Sequence, residues 1–324
     1  MGGCTRPFGR TKAGTMKNKV ITLIGGGGFV GRYVAQALLR RGARVRIAQR
    51  DPRQAYFLRT QSALGQTQFI AADVSRPETI ARAMMGADAV VNLAGALTGD
   101  MDAIQAKGAA AVAQAARAAG VEALVQLSAI GADANGDTAY ARSKGEGEVA
   151  VRQHFPSATI LRPSLVFGRE DQFANRFARM IERLPVVPVI APKTRFQPVY
   201  VGDVAAAAVA ALEDPERFGG RTFELGGPDV LSMAEMIQQI ADLLNRKIRK
   251  VELGSGAAGL IAALPGTPIT RDQLRLLGRD NVVAHGSDGL AALGVTPTPF
   301  EAVAPQWLVQ FRRNGRFSRH AHTA

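Results

Sequence analysis

Residues 19–31 (KVITLIGGGGFVG) constrain the fold of this chain more than any other segment. An apolar run typical of a strand ends at Gly25. Gly28 and Gly31 follow at three-residue steps, and a helical pattern begins immediately after them. Glycines at this spacing let a tight turn close and let backbone approach a phosphate without a Cβ in the way. The N–H groups at the helix start then offer unpaired donors and a positive dipole end to an anion.

The surroundings of this turn decide between two interpretations. Any tight strand-to-helix turn favours glycine, so the motif alone fits plain turn geometry as well. A second strand at 44–48 follows the helix at the distance expected of a βαβ unit, which favours nucleotide binding. We therefore predict that the pyrophosphate of a dinucleotide lies against this turn, held by Gly25, Gly28, Phe29, Val30, Gly31 and Arg32.

Strand-like and helical runs alternate through the first half of the chain. Strands are predicted at 19–24, 44–48, 67–71, 88–93, 122–128 and 158–163, and helices at 29–41, 52–63, 77–85, 102–119 and 140–153. Such alternation predicts an α/β fold of the Rossmann type, a doubly wound parallel sheet with helices on both faces. Right-handed crossovers then place a ligand at the carboxyl ends of the strands.

The pattern loosens after residue 165, where several prolines interrupt it. A helix at 201–213, a strand at 221–225 and helices near 232–245 and 270–278 predict a smaller C-terminal lobe interleaved with the sheet. We expect four parts: a basic N-terminal extension at 1–15, a dinucleotide-binding Rossmann domain at 16–165, the lobe at 166–310 and a basic tail at 311–324. The extension has no apolar core, so it does not resemble a secretory signal.

Composition excludes several classes of function. The 324 residues carry 40 Lys and Arg against 27 Asp and Glu, and the net charge of +13 favours an acidic partner, an anionic membrane surface or a phosphorylated ligand. Aromatic residues are only 6% and no nucleic-acid motif is present, so we expect no nucleic-acid partner. Four histidines and the single Cys4 lack metal-ligand spacing, so we expect no metal. No apolar stretch reaches the roughly 20 residues that span a bilayer.

The end of the second strand indicates which dinucleotide binds. This strand end faces the adenosine ribose in a βαβ nucleotide site, and an acid there favours NAD. Arg50 stands there instead, and its guanidinium can pair with a 2′-phosphate, so we predict NADP(H). Asp51, the next residue, leaves an NAD interpretation open.

Two further strand ends can contact the cofactor. Asp73 and Val74 follow the third strand, where the Asp73 carboxylate can accept from the adenine amino group or can cap the next helix. Leu93, Ala94 and Gly95 follow the fourth strand, and these small or apolar residues would let backbone lie against the cofactor or would form a tight turn.

Tyr140 and Lys144 lie four residues apart and therefore share one helix face. A nearby ammonium is expected to lower the pKa of the tyrosine from about 10, so that the phenol can exchange a proton with a hydroxyl or carbonyl while hydride moves. Ser128, at the end of the fifth strand, could bond the same oxygen.

These residues, in this order, resemble those of the extended and atypical short-chain dehydrogenase/reductases. Residues 161–168 (LRPSLVFG), which include Pro163, look like that family's sixth strand and the loop into its substrate region. The resemblance covers roughly residues 18–300 and implies that Pro163 contacts the cofactor. It also implies a catalytic role for Ser128, Tyr140 and Lys144, which can equally be vestigial.

Residues 167–175 (FGREDQFAN), 197–204 (QPVYVGDV) and 269–272 (ITRD) carry a narrower resemblance. They look like the nucleotide-binding accessory subunits of respiratory complex I and their bacterial relatives. That resemblance implies a tightly held NADPH, complex I peripheral-arm subunits as partners and a structural or assembly role near the quinone site. It implies a place on the cytoplasmic side of a bacterial inner membrane, or on the matrix side in a mitochondrion, with peripheral membrane contact. The apolar run at 257–265 could make such a contact or could lie in the core.

Three functions are therefore open. The first is a structural complex I subunit with bound NADP(H) and no independent turnover. The second is an active NADP(H)-dependent reductase or epimerase-like enzyme that uses Ser128, Tyr140 and Lys144. The third is a redox-sensing regulator that binds NADP(H) and a protein partner.

Overall fold

The central sheet has seven parallel strands in the order β11-β6-β5-β4-β1-β2-β3. A computed structural model describes residues 16–253, 271–313 and 315. The strands of the sheet are β1 (Val20–Ile24), β2 (Arg44–Gln49), β3 (Thr67–Ala71), β4 (Ala89–Asn92), β5 (Ala123–Leu127), β6 (Thr159–Pro163) and β11 (Thr222–Leu225). The predicted doubly wound parallel sheet is thus confirmed.

Helices cover both faces of this sheet. They are α1 (Phe29–Arg40), α2 (Pro77–Met84), α3 (Gly108–Ala118), α4 (Ala139–His154) and α6 (Val201–Glu213). Apolar residues of α1 and α6, such as Leu38 and Leu212, are buried on one face with Leu23 of β1. Residues of α2, α3 and α4 are buried on the other face, where Val112 packs in the same cluster as Leu124.

The order in which strands are added to the sheet reverses at β1: β2 and β3 extend the sheet on one side of β1, and β4, parallel to β1, begins the other side. Ile24 at the end of β1 pairs with Asn92 at the end of β4. A crevice at the carboxyl ends of strands where the winding reverses is the usual ligand site of open α/β sheets. The glycine-rich turn begins at this point.

The lobe is built from the chain between β6 and β11 and from the chain after β11. It contains β7 (Val166–Phe167), α5 (Phe173–Arg183), β8 (Val186–Ile190), β9 (Arg195–Phe196), β10 (Val199–Tyr200), β12 (Leu231–Ser232), α8 (Met233–Leu243), β13 (Arg249–Leu253), α9 (Arg271–Leu277), α10 (Phe300–Val303) and α11 (Pro305–Leu308). Its own core includes Phe167, Ile237 and Trp307. The short helix α7 (Pro215–Phe218) follows α6 and packs on the central sheet, where Phe218 lies in the same core as Phe223. Because β11 pairs with β6, the predicted interleaving of lobe and sheet is confirmed.

Two predicted helices differ in detail from the structure. Residues 52–63 form a 3₁₀ helix over Pro52–Gln61, and the helix predicted at 102–119 begins with a π-helical turn over Asp102–Lys107 before α3.

The predicted extension at 1–15, the apolar run at 257–265 and most of the tail lie outside the described residues. Among the described helices, none combines the length and apolarity needed to cross a membrane.

Candidate functional site

The glycine turn closes tightly against two neighbouring strands. Gly25 has φ +78°, a left-handed conformation that favours glycine, and its N–H donates to Ala48 O at 2.8 Å. A Cβ on Gly31 would lie 2.6 Å from the carbonyl oxygens of Gly25 and Gly26. Glycine is therefore required at position 31 for the helix to approach the turn.

The amino end of α1 is left free for an acceptor. Gly28 is the N-cap in an extended conformation, and no described side chain caps the helix. A Cβ on Gly28 would meet only Gly25 O, at 3.2 Å. Phe29 and Val30 supply the first helical N–H groups, which have no intrahelical acceptor by position. The turn thus has the features of a phosphate cradle.

The segment after β4 lies directly beside this turn. Leu93 N–H donates to Ile24 O at 2.9 Å, and a Cβ on Gly25 would lie 3.4 Å from Leu93 C and O. The buried Asn92 side chain accepts from Ala94 N–H at 3.2 Å and donates to Gln126. These bonds fix the backbone of residues 93–95 along one wall of the crevice.

Arg32 lies between α1 and the lobe. Its Nη1 is 3.3 Å from Glu170 Oε1, and its guanidinium carbon is 4.6 Å from the centre of the Phe57 ring. The Arg32 Nε is buried and has no partner within the described residues. Tyr33 also donates to Glu170, at 2.8 Å, and burial together with this carboxylate raises the pKa of Tyr33. Glu170 therefore connects α1 to the lobe through bonds to Arg32 and Tyr33.

Sequence reasoning placed Arg50 at the tip of β2, but the strand ends one residue earlier. Gln49 is the last residue of β2, and its Oε1 accepts from Gly27 N–H at 2.8 Å. Arg50 is exposed, and its side chain has no hydrogen-bond or ion-pair partner in the described part of the chain. Asp51 accepts from the Arg53 side chain at 2.9 Å, which holds the pKa of Asp51 below its usual range. Gln49 was missed because an amide carries no charge signal.

Asp73 and Val74 lie after β3 as predicted. Asp73 Oδ1 accepts from Ser75 N–H at 2.9 Å and so shapes the turn before α2, whose N-cap is Arg76 rather than Asp73. Val74 lies against the start of α3, where a Cβ on Gly108 would come within 2.8 Å of Val74 Cγ2.

Ser128 and the ammonium of Lys144 both lie at the end of β5. Lys144 Nζ donates to Leu127 O at 3.2 Å and faces Gly95, on which a Cβ would lie 3.5 Å from the ammonium. Ser128 is only 4% exposed, and its Oγ has no partner among the described residues. The structure thus brings Gly95, Ser128 and Lys144 together on the side of the crevice away from Arg50.

The expected lowering of the Tyr140 pKa by Lys144 is wrong for this structure. Burial raises the pKa of Tyr140 to about 12. Burial also lowers the pKa of Lys144 to about 8, partly opposed by Glu148. Because the ammonium is bonded to Leu127 O and is itself disfavoured by desolvation, it does not offset the burial of the phenol.

Pro163 ends β6, and its carbonyl oxygen accepts from Ile130 N–H at 3.1 Å. This bond joins β6 to the loop between Ser128 and α4. Asp203, in the first turn of α6, accepts from Thr298 N–H and Oγ1 at 2.7 and 3.0 Å. Gln105 was also missed: it is 2% exposed, and its Oε1 has no partner among the described residues.

These features fit a dinucleotide. The uncapped amino end of α1 and the open side of Gly28 suit the pyrophosphate, and the buried Ser128 hydroxyl without a partner suits a polar group at the opposite end. Residues in the described part of the chain form no group of three His, Cys, Asp or Glu that could hold a metal ion.

Comparison with known proteins agrees with this geometry. Residues 21–226 match the model of the NAD dependent epimerase/dehydratase family. The chain is 34% identical over 307 residues to NADH dehydrogenase [ubiquinone] 1 alpha subcomplex subunit 9 of Mus musculus, covering 91% of this chain and 81% of the relative. The Arabidopsis thaliana subunit of the same name is 32% identical and covers 91% and 79%.

Solved structures share the fold at lower identity. A triphenylmethane reductase from Citrobacter sp. superimposes with a TM-score of 0.75 at 21% identity, covering 89% of this chain and 99% of that one. At this identity the likeness shows the fold alone. The match of residues 21–226 to the family model, which covers more than half of the chain, shows that the chain belongs to the NAD dependent epimerase/dehydratase family.

Proposed function

We propose that this protein is an NADP(H)-binding accessory subunit of respiratory complex I with a structural or assembly role. The observation that carries the proposal is the similarity to the mouse and Arabidopsis subunits, which extends over about nine-tenths of this chain and so includes the lobe as well as the nucleotide domain. Its partners are then the peripheral-arm subunits, and its surface, with a net charge of +13, suits acidic proteins or an anionic membrane.

The choice of NADP(H) rests on the end of β2. Arg50 is exposed and without a partner in the described chain, whereas the Asp51 carboxylate is already engaged by Arg53. Gln49 places a neutral amide where an acid would repel a 2′-phosphate. A free guanidinium beside a neutral strand end favours the phosphorylated ribose.

The remaining predicted contacts have a place in this proposal. Phe29, Val30 and the glycines hold the pyrophosphate, Asp73 and Val74 border the adenine, and residues 93–95 with Pro163 line the crevice. Tyr140 and Lys144 hold the nicotinamide ribose. Bound NADP(H) would supply a hydride at its nicotinamide, but a structural role requires only that the nucleotide stay bound.

Isolation of the protein from its own cells tests the proposal. The tagged chain, purified from gently solubilised membranes, is expected to bring down complex I subunits and about one NADP(H) per chain, read by mass spectrometry of the denatured supernatant. Recovery without either would contradict it. Arg50→Asp should weaken NADPH far more than NADH. The matched control is Arg44→Asp, an exposed change at the opposite end of β2, which should affect neither.

A second candidate function is an active NADP(H)-dependent reductase. The buried Ser128 hydroxyl without a partner, close to Lys144, favours it because an enzyme of this type needs a free donor at the substrate oxygen. NADPH oxidation with a panel of aldehydes and ketones, abolished by Tyr140→Phe, would support turnover. Normal complex I assembly and activity in cells that carry Tyr140→Phe would support the structural role.

A further inference from the structure

The first turn of α4, which carries Tyr140, is held by a carboxylate from the lobe. Asp272 accepts from the N–H groups of Ala139 and Tyr140 at 3.2 and 3.3 Å. Thr138, the N-cap residue, satisfies Ala141 N–H at 3.2 Å. Asp272 therefore takes up helix donors that have no intrahelical acceptor, and its negative charge lies at the positive end of the helix dipole.

Two further bonds join the same lobe segment to the loop before α4. We call residues 271–281 the strap. Arg279 donates to Asp137 at 2.7 Å, and Asn281 Nδ2 lies 3.5 Å from Ile130 O. The strap thus contacts this loop near both of its ends, between Ser128 and Tyr140.

The strap is itself anchored in the lobe. Thr194 Oγ1 donates to Leu277 O at 2.7 Å, and Arg195 forms an ion pair with Asp280 at 2.6 Å. Asn281 N–H donates to Arg195 O at 2.8 Å, which fixes the end of the strap to β9. Because the strap is fixed to the lobe, the Asp272 side chain can hold the start of α4 in place.

We infer that Asp272 is a positioning residue for the nicotinamide half of the nucleotide site. It holds the first turn of α4 and thereby sets the place of Tyr140, while the glycine turn and Arg50 lie at the other end of the crevice and do not depend on it. This inference rests on the proposed binding of NADP(H). It couples the lobe to the nucleotide through α4, because a change that loosens the strap also loosens the turn that bears Tyr140.

Two ligands separate positioning from a general loss of stability. NADPH spans the whole crevice, whereas adenosine 2′,5′-bisphosphate reaches only the glycine turn and the end of β2. Asp272→Ala removes both acceptors from the start of α4, so we expect it to weaken NADPH about fivefold and to leave the bisphosphate affinity unchanged. Asp272→Asn keeps one acceptor oxygen and should fall between wild type and Ala. Calorimetric titration measures both ligands.

Asp288→Ala is the matched control, because Asp288 forms an exposed ion pair with Arg221 and does not touch α4. It should change neither affinity. Unchanged NADPH binding in both Asp272 variants, or equal losses for the two ligands, would overturn the inference. If the Ala variant does not fold, the Asn variant decides the same comparison. A wild-type protein that binds neither ligand would instead overturn the proposed nucleotide function.

Discussion

Gln49 and Gly27 are joined by a hydrogen bond of 2.8 Å from the glycine N–H to the amide oxygen, which connects the end of β2 to the glycine turn. The Gln49 amide nitrogen donates in turn to Asp51 O at 2.7 Å. The two bonds hold the backbone on either side of Arg50. The last residue of β2 thus shapes the place where a ribose phosphate would bind.

Gln49→Glu should shift the preference away from NADPH. The carboxylate can still accept from Gly27 N–H, but it loses the bond to Asp51 O and brings a negative charge toward the 2′-phosphate. We therefore expect NADPH to weaken about tenfold and NADH to weaken much less. Titration calorimetry with both nucleotides measures the effect. Gln61→Glu, an exposed change at the end of the 3₁₀ helix Pro52–Gln61, is the control. Equal losses for the two nucleotides would contradict a phosphate contact here.

Gly31→Ala and Gly28→Ala should separate folding from binding. A Cβ at 31 would press on two carbonyl oxygens at 2.6 Å, so we expect a loss of about 2–3 kcal/mol in the free energy of unfolding. A Cβ at 28 has one neighbour at 3.2 Å and should cost less than about 1 kcal/mol, yet it projects into the phosphate cradle. Urea unfolding and NADPH titration of both variants check this. A stable Gly28→Ala protein with undiminished affinity would refute the cradle.

Glu148 should contribute strongly to stability. It is 7% exposed and binds Arg162 through two bonds of 2.9 and 2.6 Å. Glu148→Ala leaves a half-buried guanidinium short of its main partner, so we expect a loss of about 3 kcal/mol, much of it recovered in the double variant with Arg162→Met. Lys19 and Glu122 form an exposed pair of 2.7 Å whose loss should cost less than about 1 kcal/mol. Similar losses at the two sites, in urea unfolding, would argue against burial as the cause.

The pH dependence of stability should report Lys144. Its folded-state pKa of about 8 lies below the unfolded value of about 10.4, so between these pH values the unfolded chain binds more protons. The free energy of unfolding contributed by this residue therefore rises as pH increases through that window, by roughly 2 kcal/mol. Wild type and Lys144→Met, unfolded in urea at pH 7.5 and 9.5, should differ in slope with this sign. Parallel slopes would mean that the ammonium is not penalised by burial.

The sequence predicted the parts of the fold that depend on local pattern. Apolar runs and glycine spacing located the strands of the nucleotide domain within one or two residues, because a strand buried on both faces needs continuous apolar residues. The type of helix escaped prediction at 52–63 and 102–119, since apolar spacing does not distinguish α, 3₁₀ and π hydrogen bonding. Asp272 was noted only as part of a motif. Tyr140, whose N–H donates to the Asp272 carboxylate, lies 132 residues away in the sequence. Such a contact exists only once the chain is folded.

The return of β11 to the central sheet has a practical consequence for anyone who wishes to divide this protein. A fragment that ends after β6 would keep every glycine of the phosphate turn but would lose β11, the strand at the edge of the sheet. The backbone N–H and C=O groups of β6 that pair with β11 would then be unpaired and exposed. The loss of β11 would also deprive Arg162 of Glu224, its second carboxylate neighbour at 3.6 Å. Such a fragment should aggregate rather than bind nucleotide, so a soluble nucleotide-binding fragment of this protein must retain β11.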